Sequence, residues 1–331
     1  MPVPSQSKPE YRINLSSGSP NPLEAYEMLR SFLPNAGHHL TQNLRPALGI
    51  YNTSISRVCE KTIKCCEHLE RYFKTSDRVA VLRSNTTIHK LIIDYLELTL
   101  YAAAEHVDDL RLIAKGFFQN QAESQKSKSF RAFDESIKTH KSLIAASANA
   151  IKHAQARIRL YSLEFRHDGT PTCMHGYFIE GVSNGVVGPN QIFHDENKQV
   201  FSITSLIWEV ITFLLHTSRS LNEFLKTVEA AKECQPPEQA DTFKKLVIAA
   251  ARLPLYSFDD NHPFARTRVI IDGDAASLEP LKSRIYGSIT SKWSKSDRGE
   301  FGDFFGGYEG DGVTRTFKIV QPAALHVQHW D

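Results

Sequence analysis

The chain has 331 residues, of which 41% are hydrophobic and 23% are charged. These fractions are typical of globular proteins and exclude a chain that is too polar to fold. Lys and Arg total 39 against 37 Asp and Glu, and the resulting net charge of +2 excludes a strong global field that draws a protein onto nucleic acid or anionic lipid.

Residues 1–22 are rich in Pro and Ser, and Pro removes a backbone donor and disfavours helix. We therefore expect a flexible N-terminal lead, with the folded part starting near Leu23. Between Leu23 and Phe73 the apolar spacing is interrupted by Pro and Gly. This pattern predicts one short helix and then a longer one from Tyr51 to Phe73.

Apolar residues recur every three, four or seven positions from Thr87 to Phe118, which predicts a long amphipathic helix. The polar run from Gln119 to Ser129 predicts a loop or a frayed turn. The same apolar spacing predicts a second long helix from about Phe130 to Arg157. Two long amphipathic helices joined by a loop favour an antiparallel pair.

The pattern changes after the second long helix, where three segments are rich in β-branched and aromatic residues. Turn residues such as Asp168-Gly169 separate these segments, which are Arg157–Phe165, Gly176–Val182 and Gln199–Thr204. We predict a small antiparallel β-insert at about residues 157–204. Helical spacing returns from Ser205 to Ala230, with Ser205 or Thr204 as the N-cap. The strongly apolar start of that helix predicts a central place in the core.

The residues beyond Pro236-Pro237, a predicted boundary, mix helical and strand patterns. The predicted elements are helices over Phe243–Leu253 and Leu278–Trp293 and strands over Ala265–Asp274 and Val313–Val320. The predicted fold class is therefore mainly α, an antiparallel long-helix bundle with a small antiparallel β-insert, plus a smaller mixed α/β C-terminal region. The predicted domains are residues 1–22, 23–235 and 236–331.

The cysteines number five and show neither a CxxC motif nor zinc-ligand spacing, so reduced thiols and no metal site are expected. The N-terminus lacks the basic and apolar segments of a secretory signal. The most hydrophobic window, Leu206–Leu215, is short for a membrane span and contains Glu209. We therefore expect a soluble cytoplasmic protein that needs neither cofactor nor membrane.

Polar residues near the end of the second long helix form the most informative pattern of the sequence. Asn149 and His153 are four apart and share a helix face, and each lies about 160° from the apolar Ile151. Lys152 lies beside this face, and Arg157 continues it if the helix persists for one more turn. Such a ridge has the groups needed to bind phosphate or to abstract a proton.

These residues, in the pattern Asn-x-x-Lys-His, follow a long helix pair and precede a β-insert and a further apolar helix. In this order and in this motif, residues 85–230 resemble the HEPN superfamily of helical domains. The resemblance implies a homodimer in which two copies of the motif form one cleft. It also implies either an RNA or nucleotide ligand or metal-independent ribonuclease activity in a toxin or antiphage effector.

The sequence departs from the nuclease members of that family at one position. Those members carry an Arg four to six residues before the His, whereas Ala148 directly precedes Asn149 here. The resemblance is therefore to members without this Arg. In a catalytic alternative, His153 is the base, Asn149 orients its imidazole, and Lys152 or Arg157 binds the phosphate.

Three functions stay open at this point. Because the sequence lacks a catalytic triad, a glycine-rich nucleotide fingerprint and a metal-ligand pattern, we favour a non-catalytic module that binds RNA, a nucleotide or a partner in bacterial stress or defence. The first alternative is a metal-independent endoribonuclease that uses His153. The second is a purely structural interaction protein, in which Asn149 and His153 are solvated or bond to the β-insert.

Overall fold

A computed structural model describes residues 11–16, 18–74, 87–154, 156–167, 170–183, 186–193, 201–228, 241–253, 255–257, 267–272, 275–280, 305–306 and 326–328. Within these residues the protein is mainly helical with small antiparallel sheets, which confirms the predicted fold class. The α-helices are α1 (Glu24–Ser31), α2 (Ala47–Phe73), α3 (Thr87–Lys115), α4 (Gln121–Lys126), α5 (Lys128–His153), α6 (Ile203–Lys226) and α7 (Asp241–Ala251). A short 3₁₀ helix spans Leu40–Gln42.

The strands of the described residues form three groups, and all of the pairings are antiparallel. The strands are β1 (Tyr11–Asn14), β2 (Ile158–His167), β3 (Thr170–Ser183), β4 (Val186–Pro189), β5 (Phe201–Ser202), β6 (Leu255–Ser257), β7 (Thr267–Asp272), β8 (Ala275–Pro280), β9 (Phe305–Gly306) and β10 (His326–Gln328). The β-insert has the order β4-β3-β2-β9, with β5 also paired to β3. A second sheet has the order β1-β8-β7, and β6 pairs with β10.

The long helices α3 and α5 run antiparallel, as their apolar spacing predicts. Arg111 near the end of α3 binds Asp134 near the start of α5, with 2.6 Å between Nη2 and Oδ1. At the other end, the backbone of Ile158, just beyond α5, reaches the middle of α3 at Glu97. The end of α3 thus meets the start of α5, and an earlier part of α3 meets the end of α5, so the two helices run in opposite directions.

The polar run between these helices is more ordered than the predicted loop. Asn120 caps α4, because its side-chain oxygen accepts from the backbone N–H of Glu123 at 3.0 Å. Ser127 caps α5 in the same way, with 3.3 Å to the backbone nitrogen of Phe130. The two caps satisfy backbone donors at the helix starts, so the absence of large apolar residues does not prevent a helical turn.

Helix α6 lies in the centre of the core, as predicted. Residues 203–215 are buried on every side of the helix except at Glu209, which is half-buried. The N-cap is Ser202, whose Oγ accepts from the backbone N–H of Ser205 at 3.3 Å. The prediction of Ser205 or Thr204 as the cap was wrong. The helix starts at Ile203, directly after β5 and two residues earlier in the chain than predicted.

A polar seam crosses the interior between α2, α3 and α6. The fully buried ring of His106 lies 2.8 Å from Ser54 Oγ, and Tyr51 donates to Ser218 Oγ at 3.0 Å. Burial lowers the pKa of His106 to about 3, so its ring stays neutral near neutral pH. These pairings satisfy polar groups that the sequence pattern places among apolar neighbours.

The prediction of a flexible lead over residues 1–22 is corrected from residue 11 onward. Strand β1 pairs with β8, and Tyr11 and Ile13 are buried. The hydroxyl of Tyr11 lies 2.9 Å from His216 Nδ1 on α6, and the guanidinium of Arg219 lies over its ring. Composition could not show this order, because the strand's partner lies at the far end of the sequence.

The C-terminal predictions have mixed outcomes. The helix predicted over 243–253 is present as α7, and its buried apolar residues, which include Phe243, Leu246 and Val247, belong to the same hydrophobic core as the bundle. The strand predicted over 265–274 is present as β7, but the helix predicted from Leu278 is wrong up to Pro280, where β8 pairs with β7. The remainder of that helix, the strand over 313–320 and the boundary at Pro236-Pro237 lie outside the described residues, so the domain boundaries stay predictions.

A glycine directly after α3 permits close packing against the ring of His39. The ring of His39 lies directly against Gly116, and its Nε2 lies 3.0 Å from the carbonyl oxygen of Ile113. The backbone N–H of His38 donates to the carbonyl of Gly116 at 2.7 Å. A Cβ atom at position 116 would overlap the buried ring.

We expect Gly116→Ala to lower the free energy of unfolding by about 1–3 kcal/mol, because the buried ring of His39 has to move. The matched control is Gly49→Ala in α2, where a Cβ atom would have Arg45 Cβ as its neighbour at 3.8 Å. That change should stabilise the protein by about 0.5–1 kcal/mol through helix propensity. Urea denaturation of both variants checks the difference, and equal stabilities would contradict it.

Candidate basic site at the end of helix α5

The last turn of α5 presents the polar ridge that the sequence predicts. Asn149, Lys152 and His153 are exposed, whereas Ile151 between them is buried. Position 148, where nuclease members of the resembled family carry Arg, is also buried, and Ala148 is 4% exposed. The ridge therefore faces away from the core, and the missing Arg corresponds to an inward position.

The helix ends one turn earlier than predicted, so Arg157 does not continue the ridge as a helical residue. The backbone N–H groups of Ala154 and Ala156 both donate to the carbonyl of Ala150 at 3.1 Å. The second bond turns the chain back along the last turn. Strand pairing of β2 from Ile158 onward overrides the local helix propensity of this segment.

After the fold-back, the backbone of Arg157 binds Glu180 on β3. Its backbone N–H donates to Glu180 Oε2 at 3.2 Å, and its carbonyl accepts from the backbone N–H of Glu180 at 2.9 Å. The next residue, Ile158, donates its N–H to Glu97 Oε1 at 3.4 Å. Arg157 is thus fixed through its backbone while its side chain is exposed.

A buried ion pair anchors this junction. Arg159 Nε lies 2.6 Å from Glu180 Oε1, and the side chains are 7% and 9% exposed. One oxygen of the Glu180 carboxylate binds Arg159, and the other accepts the backbone N–H of Arg157. The carboxylate therefore joins the start of β2 to the part of β3 that pairs with it. Buried charges with such partners avoid the large penalty of an unpaired buried ion.

Glu97 on α3 is a half-buried carboxylate next to this junction. Burial raises its pKa above the ordinary value, and the nearby charges of Asp94 and Glu180 act in the same direction. The hydrogen bond from Ile158 and the attraction of the Arg157 guanidinium lower the pKa and partly offset these effects. Arg157 and Glu97 are therefore electrostatically coupled.

Sequence reasoning missed Glu97, Arg159 and Glu180 as members of the site. The apolar spacing of α3 puts Glu97 opposite the apolar stripe, a position that by itself indicates a solvated side chain. The signal for Glu180 was present, since it is a single charged residue inside the apolar segment Gly176–Val182. A carboxylate that a strand buries needs a cationic partner, but the sequence does not say which one.

The four predicted side chains differ from Arg159 in having no fixed partner. No hydrogen bond or ion pair joins the side chains of Asn149, Lys152, His153 or Arg157 to another described residue. Lys152 and His153 also lie at the negative end of the α5 dipole, where positive charge is favoured. The surface thus offers one amide, one imidazole and two cations to an anionic ligand.

Other chemistry is less well supported within the described residues. They contain no group of three or more His, Cys, Asp or Glu side chains placed to bind a metal ion. Cys59, Cys65 and Cys66 are buried in α2, and burial raises the pKa of Cys59 to about 12, which disfavours a reactive thiolate. No described helix is long and apolar enough to cross a membrane.

Comparison with known proteins gives no assignment, since no protein-family model, curated protein or solved structure matches the chain. The HEPN resemblance therefore rests on the motif residues Asn149, Lys152 and His153 and on the order of the elements around them. A helix pair with a β-insert does not by itself define an activity, because one fold hosts many functions. The function has to be inferred from the chemistry of the site.

We expect Glu180→Ala to lower the free energy of unfolding by about 3–5 kcal/mol, because the buried Arg159 loses its carboxylate. The matched control is Glu105→Ala on α3, which removes an exposed ion pair to Arg57. That loss should be within about 1 kcal/mol. Chemical denaturation followed by circular dichroism measures both, and a loss at Glu180 no larger than at Glu105 would refute the anchoring role.

Proposed function

We propose that the chain is a HEPN-like, non-catalytic module that binds the phosphates of RNA or of a nucleotide at the ridge of Asn149, Lys152, His153 and Arg157. The observation that supports this proposal is that the cations at the junction differ in burial and in pairing. Arg159 is buried and neutralised by Glu180, whereas Lys152 and Arg157 are exposed and form no side-chain hydrogen bond to a carboxylate among the described residues. Exposed cations of this kind contribute affinity for a phosphate backbone.

The backbone contacts of Arg157 favour binding further. Both its N–H and its carbonyl are held by Glu180, so less backbone freedom is lost when the guanidinium engages a ligand. Arg offers a planar fork of donors that matches the oxygens of a phosphate, and Asn149 adds an amide donor. The setting that the resemblance implies is bacterial stress or defence.

A second candidate is a metal-independent endoribonuclease, and it is favoured by the exposure of the His153 imidazole, which has no hydrogen-bond partner in the described part of the chain. An imidazole can take the proton of a ribose 2′-hydroxyl, and Arg157 or Lys152 can stabilise the charge that develops on the phosphate. The buried Ala148 at the Arg position of the resembled nucleases weighs against this activity. A third candidate, a purely structural protein, needs no ligand at the ridge.

We expect His153→Ala to reduce RNA affinity more than any other single change at the ridge, because it removes the imidazole that Asn149, on the same helix face, can orient toward a ligand. Its melting temperature should stay close to that of the wild type, since exposed substitutions typically change stability by less than about 0.5 kcal/mol.

Lys152→Ala should weaken RNA binding and reduce the dependence of affinity on salt by about one counterion. Fluorescence anisotropy with a short single-stranded RNA measures both effects.

The control for these variants is Lys138→Ala, which removes an exposed cation of the same helix that is paired with Glu135. It should leave RNA affinity unchanged. Incubation of the labelled RNA, followed by denaturing electrophoresis, separates binding from cleavage: intact RNA supports the module, and cleavage that His153→Ala abolishes supports the nuclease. If the wild type binds no RNA and His153→Ala keeps full biological activity, the ridge is merely solvated.

We also propose a homodimer in which the ridges of two copies face one shared cleft, because the resembled family commonly associates through this surface. We expect sedimentation velocity to show a dimer at micromolar concentration. Asn149→Arg should shift the equilibrium toward the monomer, because it brings two further cations together at the two-fold axis. A wild-type monomer at tens of micromolar would contradict the proposed dimer.

A further inference from the structure

Glu97 contacts the same junction that positions Arg157, although it belongs to a different helix. Its Oε1 accepts the backbone N–H of Ile158 at 3.4 Å, so the carboxylate lies next to the residue that follows Arg157. The antiparallel register of α3 and α5, set by Arg111 and Asp134, places Glu97 beside the last turns of α5. A negative charge is therefore held within the proposed phosphate site.

The titratable groups around Glu97 come from its own helix, the connection and the paired strands. Asp94 and Tyr101 lie on its own helix, Arg157 lies on the connection, and Glu180 with its partner Arg159 lies on the strands. Glu180 is already bound to Arg159. Of the two nearby arginines, Arg157 is therefore the one whose guanidinium is left to balance the Glu97 charge.

We propose that Glu97 is an internal competitor for Arg157: no ion pair joins these two described residues, but the Glu97 charge beside the junction attracts the guanidinium in the absence of ligand, and the phosphates of RNA have to overcome this attraction. This inference rests on the proposed phosphate-binding function. A carboxylate carries one negative charge, and an RNA strand presents a series of phosphates that engage Arg157 and Lys152 together. Glu97 thus discriminates against small singly charged anions and in favour of a polyanion.

The competition follows from elementary electrostatics. A half-buried carboxylate near a guanidinium lowers the local positive potential, and the interaction is screened less than one between fully exposed charges. The binding free energy that a ligand gains at Arg157 is its own attraction to the guanidinium less the attraction between Glu97 and Arg157 that it replaces. An anion that contacts Arg157 alone gains little, whereas RNA adds contacts that Glu97 does not oppose.

The variant that isolates this effect is Glu97→Gln. The side-chain oxygen of Gln still accepts the N–H of Ile158, so the junction keeps its hydrogen bond while the negative charge is lost. We expect RNA affinity to rise about twofold to fivefold, the range of a surface charge interaction. Inhibition by inorganic phosphate, added as a competitor of the labelled RNA, should rise by a larger factor.

Two controls separate this effect from a general change of charge. Glu105→Gln removes an exposed carboxylate of the same helix, two turns further on, and should change RNA affinity much less. In an Arg157→Ala background, Glu97→Gln should have no further effect, because the competitor no longer has a partner. Equal gains with and without Arg157 would overturn the proposal, and so would no gain from Glu97→Gln.

A measurement on the protein without ligand distinguishes failure of this inference from failure of the proposed function. The Glu97 carboxyl carbon can be titrated by ¹³C NMR in the wild type and in Arg157→Ala. Losing the guanidinium removes an attraction that favours the charged form, so the pKa of Glu97 should rise in the variant. An unchanged pKa overturns the competition whether or not RNA binds. A raised pKa without RNA binding overturns the proposed function and, with it, this inference.

Discussion

The carboxylate of Glu180 is the constraint on which the candidate site depends. One of its oxygens binds the buried Arg159 at 2.6 Å, and the other accepts the backbone N–H of Arg157 at 3.2 Å. Neither charge can be left alone in this environment, because an unpaired buried ion carries a penalty of several kcal/mol. The pair therefore holds the first residues of the β-insert in one register against the end of α5.

This anchoring divides the basic residues of the junction into two kinds. Arg159 belongs to the interior and contributes to the fold, whereas Arg157, two residues earlier, is fixed only through its backbone and presents its side chain to solvent. Lys152 and His153 lie on the last turn of a long, well-packed helix. A group of polar side chains on such rigid supports is better prepared for binding than the same residues on a mobile loop.

Several buried polar groups elsewhere in the bundle also find partners from distant parts of the chain. His106 meets Ser54, and Tyr51 meets Ser218 across the central helix. Tyr11 reaches His216 although 205 positions separate them. Each of these contacts satisfies a group that would otherwise destabilise the core, and together they specify how the helices are placed against one another.

The sequence by itself determined the helices α3, α5 and α6, the change to strands between α5 and α6, and the outward direction of Asn149 and His153. These features depend on the spacing of neighbouring side chains, which is local. Tertiary structure alone decided that α5 ends at His153 and that the backbone of Arg157 binds Glu180. It also decided that Glu97, 61 positions before Ile158, shares the junction. These features depend on pairing between β2 and β3 and on helix packing, whose energies come from residues that are far apart in the chain.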